Sequence, residues 1–233
     1  MNYSQHIDCK NCVDCGFRSP LFDLLSETEL QLINEHRFEI KFNKGETIRK
    51  QGTFLSHVIS LNSGLAKLYI EGFNKKNLIL RIIKPTKFIG GPGMYYDQRH
   101  HYSVAALVDS SACFIDVNIF KEIIHSNPAF AAEFMKEFSI NMLSTHDRLI
   151  NISQKQIPGR MADALLYFSN EIFENNKIES VISKQDLADL TSMSKDSAVK
   201  ILREFNEEKI IKTNADHIEI TDKDALIKIS NFG

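Results

Sequence analysis

The chain has 233 residues, of which 43% are hydrophobic, and a formal net charge of -2, so it can form one large domain or two moderate ones with real cores. Its start, MNYSQHIDCKNC, lacks a basic segment followed by an apolar run, and no stretch approaches the roughly 18 apolar residues that a membrane span needs; we therefore expect a cytoplasmic protein. From Pro158 onward 10 basic residues stand against 14 acidic ones, which excludes a generally basic nucleic-acid-binding region and leaves only a local patch for that role.

Three of the four cysteines lie within seven residues, at Cys9, Cys12 and Cys15, and the fourth is Cys113. Structural disulfides are rare in a reducing compartment, so the cluster indicates metal or redox chemistry. Together with one thiolate from a distant segment, a C-x-x-C-x-x-C loop supplies the four cysteines that iron–sulfur clusters use. Four thiolates also suit a structural zinc. A third interpretation is that the cysteine-bearing arm binds no metal and that Cys113 is an ordinary buried residue.

A helix start follows the cysteines, because Ser26 and Glu29 have the spacing of a capping box; the helix should end near Glu35. From Arg37 to Asp116 the chain breaks into short β-rich runs separated by Gly, Asn, Pro and Asp. These runs are RFEIKF, ETIRK, HVISLN, LAKLYI, NLILRIIK, YSVAALV and CFIDV. Many short strands at close spacing predict a β-sandwich or β-roll. We assign residues 1–25 to a cysteine-bearing arm and residues 26–117 to this domain.

The hydrophobic period changes after Asn118. Apolar positions now alternate at spacings of three and four, as in the a/d seam of a coiled coil; the seam consists of Met135, Phe138, Met142, Thr145, Leu149 and Ile152. This pattern predicts a long dimerisation helix within residues 118–157, although a helix packed on its own domain is the alternative. Ile157, Pro158 and Gly159 should end the helix, and a new domain would begin at residue 158.

Residues 158–233 contain three predicted helices, at about 160–173, 184–190 and 195–207, and then two β runs, IIKT and HIEIT. Ser183 and Asp186 form a second capping box, and the turn at 191–193 leads to a helix that Ser194 can cap. Two helices joined by a tight turn and followed by a β-hairpin predict a winged helix-turn-helix.

The second of these helices has the side chains of a DNA-reading helix. Its first two turns carry residues able to contact base edges, namely Lys195, Asp196, Ser197 and Lys200. Other polar residues of the module would contact phosphates and position it, namely Ser183, Lys184, Ser192 and Arg203. The alternative is an ordinary charged surface on a small helical domain.

The segment ISKQDLADLTSMSKDSAVKILREFNEEKII resembles the helix-turn-helix of the Crp/Fnr family of regulators. The front half is also similar, since Gly45, Gln51–Gly52, Gly64 and Phe88–Gly90 resemble the glycine framework of that family's β-roll. The resemblance implies an α+β fold: a cyclic-nucleotide-binding-like β-roll (jelly roll), a long dimerisation helix and a C-terminal winged helix-turn-helix. It further implies a homodimer on a two-fold symmetric DNA operator, with RNA polymerase as a partner.

The resemblance argues against cyclic AMP as the ligand. Family members that bind it use a Gly-Glu-Leu motif and an Arg-Ser pair, where this chain has Gly90–Gly93 and Tyr102–Ser103. Without its arginine, a buried phosphate lacks a charge-assisted, bidentate contact. The nearby Arg99, His100 and His101 could serve an anion site in another alignment, but we expect them in a solvated loop.

The cysteines resemble those of the oxygen-sensing branch. Cys113 stands where that branch has its distal ligand, and Cys12 and Cys15 resemble two N-terminal ligands. The remaining ligand position holds Leu21, so Cys9 would have to substitute in a [4Fe-4S] site. Alternatively, the β-roll senses nitric oxide, an organic effector or haem, whose axial ligand could be His57, His100 or His101.

No P-loop, nucleophile elbow or HExxH motif indicates an enzyme.

Overall fold

A computed structural model gives the fold and describes residues 11–233, so Cys9 lies outside the described residues. The chain divides into two compact units. The first contains the described residues up to 70 together with 82–143, and the second contains 71–81 together with 144–233. The boundaries inferred from the sequence after residues 25, 117 and 157 stay predictions.

The β-roll consists of two four-stranded antiparallel sheets, with strand orders β1-β8-β3-β6 and β2-β7-β4-β5. The strands are β1 (Arg37–Phe42), β2 (Thr47–Arg49), β3 (His57–Ser63), β4 (Ala66–Glu71), β5 (Asn77–Ile83), β6 (Phe88–Ile89), β7 (Ser103–Ala106) and β8 (Ser110–Asp116). All seven predicted runs contain strands. The two-residue strand β6 carries too short a pattern to be detected, and its pairing with β3 defines it.

Helices enclose one end of this unit. They are α1 (Glu27–Glu35), α2 (Val117–Ser126) and the start of α3 (Pro128–Gln154), preceded by a short 3-10 helix at Pro20–Leu24. The capping box of α1 is formed, since Ser26 Oγ accepts from the Glu29 amide at 3.3 Å and Glu29 Oε2 accepts from the Ser26 amide at 2.8 Å. Aromatic rings at Phe22, Phe88, Phe120 and Phe130 pack in one core cluster. Cys12 and Cys113 belong to the same cluster.

Apart from residues 71–81, which include most of β5, the second unit consists of α-helices around a small sheet. Its helices are α4 (Ile157–Tyr167), extended by a π-helical turn at Phe168–Ile172, α5 (Lys184–Thr191), α6 (Lys195–Glu207) and α7 (Lys223–Phe232). The sheet has the order β10-β11-β9, with β9 at Lys177–Glu179, β10 at Ile211–Thr213 and β11 at His217–Ile220. The predicted hairpin is therefore β10 and β11, and β9 is a third strand that the sequence pattern did not reveal.

The break between α3 and α4 differs in detail from the prediction. The long helix ends at Gln154, and Ile157 begins α4 with Pro158 in its first turn. An amide in the first turn has no acceptor within the helix, so proline removes no hydrogen bond at this position. Gly159 also lies within α4, and a Cβ there would come within 2.7 Å of the Gly233 carbonyl oxygen. The glycine thus permits close packing against the end of α7. Within residues 11–233, no helix combines the length and apolar character needed to cross a membrane.

Candidate nucleic-acid interface and cysteine site

Helices α5 and α6 form a helix-turn-helix built by local capping. Ser183 and Asp186 complete the predicted capping box, since the Asp186 amide donates to Ser183 Oγ at 3.0 Å and the Ser183 amide donates to Asp186 Oδ2 at 3.0 Å. At the other end of α5, Ser192 adopts the left-handed conformation with φ 53°. Ser194 Oγ then accepts from the Ser197 amide at 3.0 Å and starts α6. These contacts fix the short turn that separates the two helices.

Helix α6 has one buried face and one exposed face. Its buried residues are Ala198, Ile201, Leu202 and Phe205. The side chains predicted to read DNA lie on the other face, where Lys195, Asp196 and Lys200 are exposed and Ser197 is half-buried. The ion pair between Lys200 and Glu204 is loose, at 3.8 Å, so the ammonium group remains free to move to another acceptor.

The predicted phosphate contacts lie at the surface of the same module. Ser183, Lys184, Ser192 and Arg203 are all exposed. The Ser183 hydroxyl already takes part in the capping box, donating to Asp186 Oδ2 at 2.5 Å. A backbone phosphate would therefore compete with Asp186 for that hydroxyl, whereas Lys184 and Arg203 are not restricted in this way.

Two arginines that the sequence reasoning missed hold the turn between α5 and α6. Arg148 on α3 donates through Nη2 to the Leu190 carbonyl oxygen. Arg160 on α4 donates through Nη1 to the carbonyl oxygens of Thr191 at 3.0 Å and Ser192 at 3.1 Å. Cationic side chains satisfy the free carbonyl groups at a helix C-terminus and complement its dipole. No motif signals them, because their acceptors lie more than thirty residues along the chain.

The predicted seam of α3 carries exposed apolar side chains. Met135, Met142 and Leu149 are exposed by 60%, 48% and 57%, whereas Phe138, Thr145 and Ile152 are half-buried. Large apolar residues are also exposed beside the seam, at Ile140, Leu143 and Ile150. An apolar strip of this extent on one helix marks an interaction surface.

The structure brings Cys12 and Cys113 to a common neighbour, Arg37. Both thiols are buried, and Arg37 Nη1 donates to Cys113 Sγ at 3.9 Å. Asn34 fixes this arrangement, because its Oδ1 accepts from the Cys12 amide at 3.1 Å and from Arg37 Nε at 3.3 Å. Of the cysteines in the N-terminal arm, Cys12 thus lies beside the same arginine as Cys113.

Burial favours the neutral form of both thiols. The positive charge of Arg37 acts in the opposite direction and makes the thiols easier to ionise. Burial raises the pKa of Cys113 to about 11, and the Arg37 charge and hydrogen bond oppose that rise. Burial likewise raises the pKa of Cys12, again opposed by Arg37. Desolvation lowers the pKa of Arg37, but the two sulfurs and Glu39 outweigh it and raise that pKa overall. Any ligand that needs thiolates must therefore displace protons here.

Cys15, the remaining predicted ligand among the described residues, does not form a metal-holding group with this pair. Cys15 is disulfide-bonded. Across residues 11–233, no three histidine, cysteine or acidic side chains form a group that could hold a metal ion. Sequence reasoning did not identify Arg37 and Asn34, which have no spacing relation to the cysteines that could have revealed them.

Comparison with known proteins matches both units. Residues 39–127 match the cyclic nucleotide-binding domain, and residues 159–229 match the Crp-like helix-turn-helix domain. The chain belongs to the Crp/Fnr family. Its relatives include the HTH-type transcriptional regulator Cmr of Mycobacterium tuberculosis, 24% identical over 92% of this chain and 84% of that protein. Another is the transcriptional activator protein FnrA of Stutzerimonas stutzeri, 21% identical over 95% of this chain and 92% of that protein.

Solved structures of Crp/Fnr regulators share the fold. A regulator from Eubacterium rectale aligns with a TM-score of 0.76 at 18% identity, covering 91% of this chain and 98% of that one. The predicted α+β architecture of β-roll, long helix and winged helix-turn-helix is therefore confirmed. Crp/Fnr proteins bind DNA and are typically dimers. The assignment to the oxygen-sensing branch stays a prediction.

In this Crp/Fnr β-roll, the side chain of Tyr102 packs against the glycine segment that resembles the cyclic-phosphate motif. Tyr102 is buried, and its hydroxyl donates to the Gly90 carbonyl oxygen at 2.6 Å. A Cβ at Gly91 would lie 2.5 Å from that hydroxyl, so the ring packs directly on the glycine segment. If Tyr102 takes the place of the family's arginine, as the sequence resemblance implies, its phenol supplies no positive charge there; the exclusion of cyclic AMP stays a prediction.

The loop before Tyr102 departs from the expectation of full solvation. Arg99 and His101 are exposed, and His101 Nε2 pairs with Asp97 Oδ1 at 3.0 Å. His100, however, is buried, because its main chain pairs with Thr53 and Gly52 of the β2–β3 loop. The prediction of a solvated loop is therefore wrong for His100: alternation along an extended segment sends its side chain inward.

Proposed function

We propose that this Crp/Fnr regulator binds a two-fold symmetric DNA site as a homodimer and that chemistry at its cysteines controls the binding. Helix α6 supports the DNA-reading part, with Lys195, Asp196 and Lys200 exposed on the face opposite its core. The exposed apolar strip of α3 supports pairing with a second copy. RNA polymerase would be a further partner, and the regulator would act in the cytoplasm.

We propose an iron–sulfur cluster as the controlling group, held by Cys9, Cys12, Cys15 and Cys113. The observation that carries this is the meeting of Cys12 and Cys113 beside Arg37. The described residues fit such a group in part: two soft sulfur donors lie together in an apolar core next to a cation that stabilises thiolates. Cys15 would have to be reduced before it could serve as a ligand. When bound, a cluster would supply a group that oxygen degrades.

The protein's own residues explain how the cysteines could influence the rest of the unit. Cys12 and Cys113 pack in the same core as Phe120 and Phe130, and Phe120 in turn contacts Phe134 on α3. A change at the sulfurs would repack these rings. Because close-packed cores transmit such changes, the position of α3 would respond.

The test is anaerobic purification with a thiol reductant, followed by iron and sulfide analysis, a visible spectrum and DNA-binding measurements before and after exposure to air. We expect about four iron and four sulfide per chain, a broad band that bleaches in air, and loss of DNA binding on bleaching. Cys113→Ser should lose the iron. Ser60→Ala is the matched control, since Ser60 is buried directly opposite Cys113 in the β3–β8 register and its hydroxyl has no hydrogen-bond partner among residues 11–233.

Other outcomes would separate the alternatives. A colourless protein that contains zinc and binds DNA equally well in air would replace the cluster with a structural metal. A sharp Soret band would indicate haem in the β-roll. An iron-free, zinc-free protein whose DNA binding ignores both air and the Cys113→Ser substitution would remove the cysteines from the mechanism and leave an effector bound elsewhere in the β-roll.

A further inference from the structure

Three polar side chains inside the β-roll, Arg49, Ser60 and His100, have buried atoms without a hydrogen-bond partner among residues 11–233. His100 is only 1% exposed, and within that range neither of its ring nitrogens has a partner. Arg49 Nε is likewise buried and has no partner among the described residues. Buried polar atoms are nearly always hydrogen-bonded, and exceptions often mark functional sites. Of the three, Arg49 and His100 also interact electrostatically with each other, so these two call for a shared explanation.

Their positions place them at the same end of the β-roll. Arg49 ends β2, and its guanidinium carbon lies 4.6 Å from the ring centroid of Phe114 on β8, so it reaches from one sheet to the other. The main chain of His100 is tied to the loop that follows β2, with its amide donating to the Thr53 carbonyl oxygen at 2.9 Å. The charge of Arg49 acts on the rings of both His100 and His57.

The charges at this end are unbalanced. Burial alone lowers the pKa of Arg49, and no carboxylate of the described residues opposes it. Asp97 pairs with His101, and Asp116 acts on His57, whereas neither acts on Arg49. A guanidinium with a free Nε and an imidazole with two free nitrogens together offer donors suited to oxygen anions.

We propose that Arg49 and His100 form an anion-binding site inside the β-roll, which takes the phosphate or carboxylate group of a small effector. This site uses an arginine from β2 and a histidine from the loop before β7. It is distinct from the glycine segment at Gly90–Gly91, which Tyr102 fills. It is also independent of the cysteines, so it would give the regulator a second input beyond the proposed redox control.

The state of His100 gives the proposal a specific signature. Burial, together with the charges of Arg49 and His101, lowers the pKa of His100 to about 4, so the ring is neutral near pH 7. An anion beside it would favour the protonated ring and raise that pKa. Binding should therefore raise the pKa of the His100 ring, which the ring nitrogens report directly. Because His57 and His101 also lie at this end, a site-specific probe is necessary.

The experiment titrates the full-length chain separately with sodium phosphate and sodium acetate at constant ionic strength, with chloride as the reference. Binding is followed by the rise in melting temperature and by the ¹⁵N chemical shifts of the histidine rings. We expect one of the two anions to bind saturably, with the His100 shifts moving toward those of a protonated ring. A phosphate-only or acetate-only response identifies which acidic group the effector carries.

Variants assign the binding to the two residues. Arg49→Met keeps the apolar stem and should lower the affinity for the anion at least tenfold, whereas Arg49→Lys should retain part of the affinity. Lys44→Met is the matched control: Lys44 is an exposed cation on the loop before β2, and this variant should bind like the wild type. If Arg49→Met fails to fold, the His100 shifts of the wild type still decide the question.

Three results would overturn the proposal. One is the absence of saturable binding by either anion. Another is binding that Arg49→Met leaves unchanged. The third is binding in which only the exposed His101 ring responds while the His100 shifts stay constant. None of these results depends on iron content or on DNA binding, so they are distinguishable from a failure of the proposed redox function.

Discussion

Arg148, on the long helix α3, donates a hydrogen bond to the main-chain carbonyl oxygen of Leu190 near the end of α5. The guanidinium is largely buried, and burial lowers its pKa to about 10, which still leaves it charged at neutral pH. Arg160 donates to the next two carbonyl groups of the same turn. The end of α5 and the turn before α6 are thus held by side chains from α3 and α4.

Removal of this contact should destabilise the DNA-binding unit. Arg148→Met leaves the Leu190 carbonyl without its charged donor, and hydrogen bonds to charged groups contribute about 1.5–3 kcal/mol. We expect the free energy of unfolding to fall by about that amount in urea denaturation. Lys228→Met, an exposed substitution on α7, serves as the control. Equal stabilities of the Arg148 variant and the control would show that the contact contributes nothing.

Lys200 and Arg203 should differ in the way they affect DNA binding. If Lys200 contacts a base, Lys200→Ala should weaken specific binding by about 1–3 kcal/mol and relax discrimination at that position. If Arg203 contacts a phosphate, Arg203→Ala should weaken all sites alike and reduce the salt dependence by about one counterion. Fluorescence anisotropy with matched and mismatched sites at several salt concentrations distinguishes the two. Unchanged discrimination in Lys200→Ala would refute its role in readout.

The seam of α3 should control assembly. Phe138→Asp is expected to give monomers in sedimentation velocity, because a charge would be buried between two apolar helices. Phe138 is half-buried within one chain, so Met142→Asp, at a more exposed seam position, tests the same interface with less risk to folding. Ser144→Asp places the same charge on an exposed position off the seam. An undiminished dimer in both seam variants would contradict the coiled-coil prediction.

Cys113 should make stability fall at alkaline pH in the metal-free, reduced protein. Its pKa rises from an ordinary value of 9.0 to about 11 in the folded chain, so folding favours the thiol. This contribution is complete below about pH 9 and is lost as the pH rises through 11. The difference in unfolding free energy between the wild type and Cys113→Ala should shrink over that window.

Arg37 sets where this alkaline transition lies. Because its charge opposes the rise in the pKa of Cys113, Arg37→Met should move thiolate formation to still higher pH, as measured by thiolate absorbance in the ultraviolet. A transition at the same pH in both proteins would show that Arg37 does not interact with the sulfur.

Local signals explain the parts of the fold that the sequence predicted correctly. Helix α6 has the predicted bounds, Lys195–Glu207, because a serine cap and an apolar stripe act within a few residues of each other. Helix α7 and strand β9 were missed. Strand β9 has three residues and exists through its pairing with β11, and α7 lies against α4. Their stability comes mainly from distant partners, which no local pattern records.

The sequence by itself determined the order of the elements, the capped turn of the helix-turn-helix and the four cysteines as candidates, since all of these depend on neighbours in the chain. Tertiary structure decided that Cys12 and Cys113 share Arg37, that Tyr102 fills the glycine segment and that His100 is buried near Arg49. These relations join residues that are far apart in sequence. They arise only when the sheets and helices pack, because burial and charge proximity are properties of the folded core and not of any one segment.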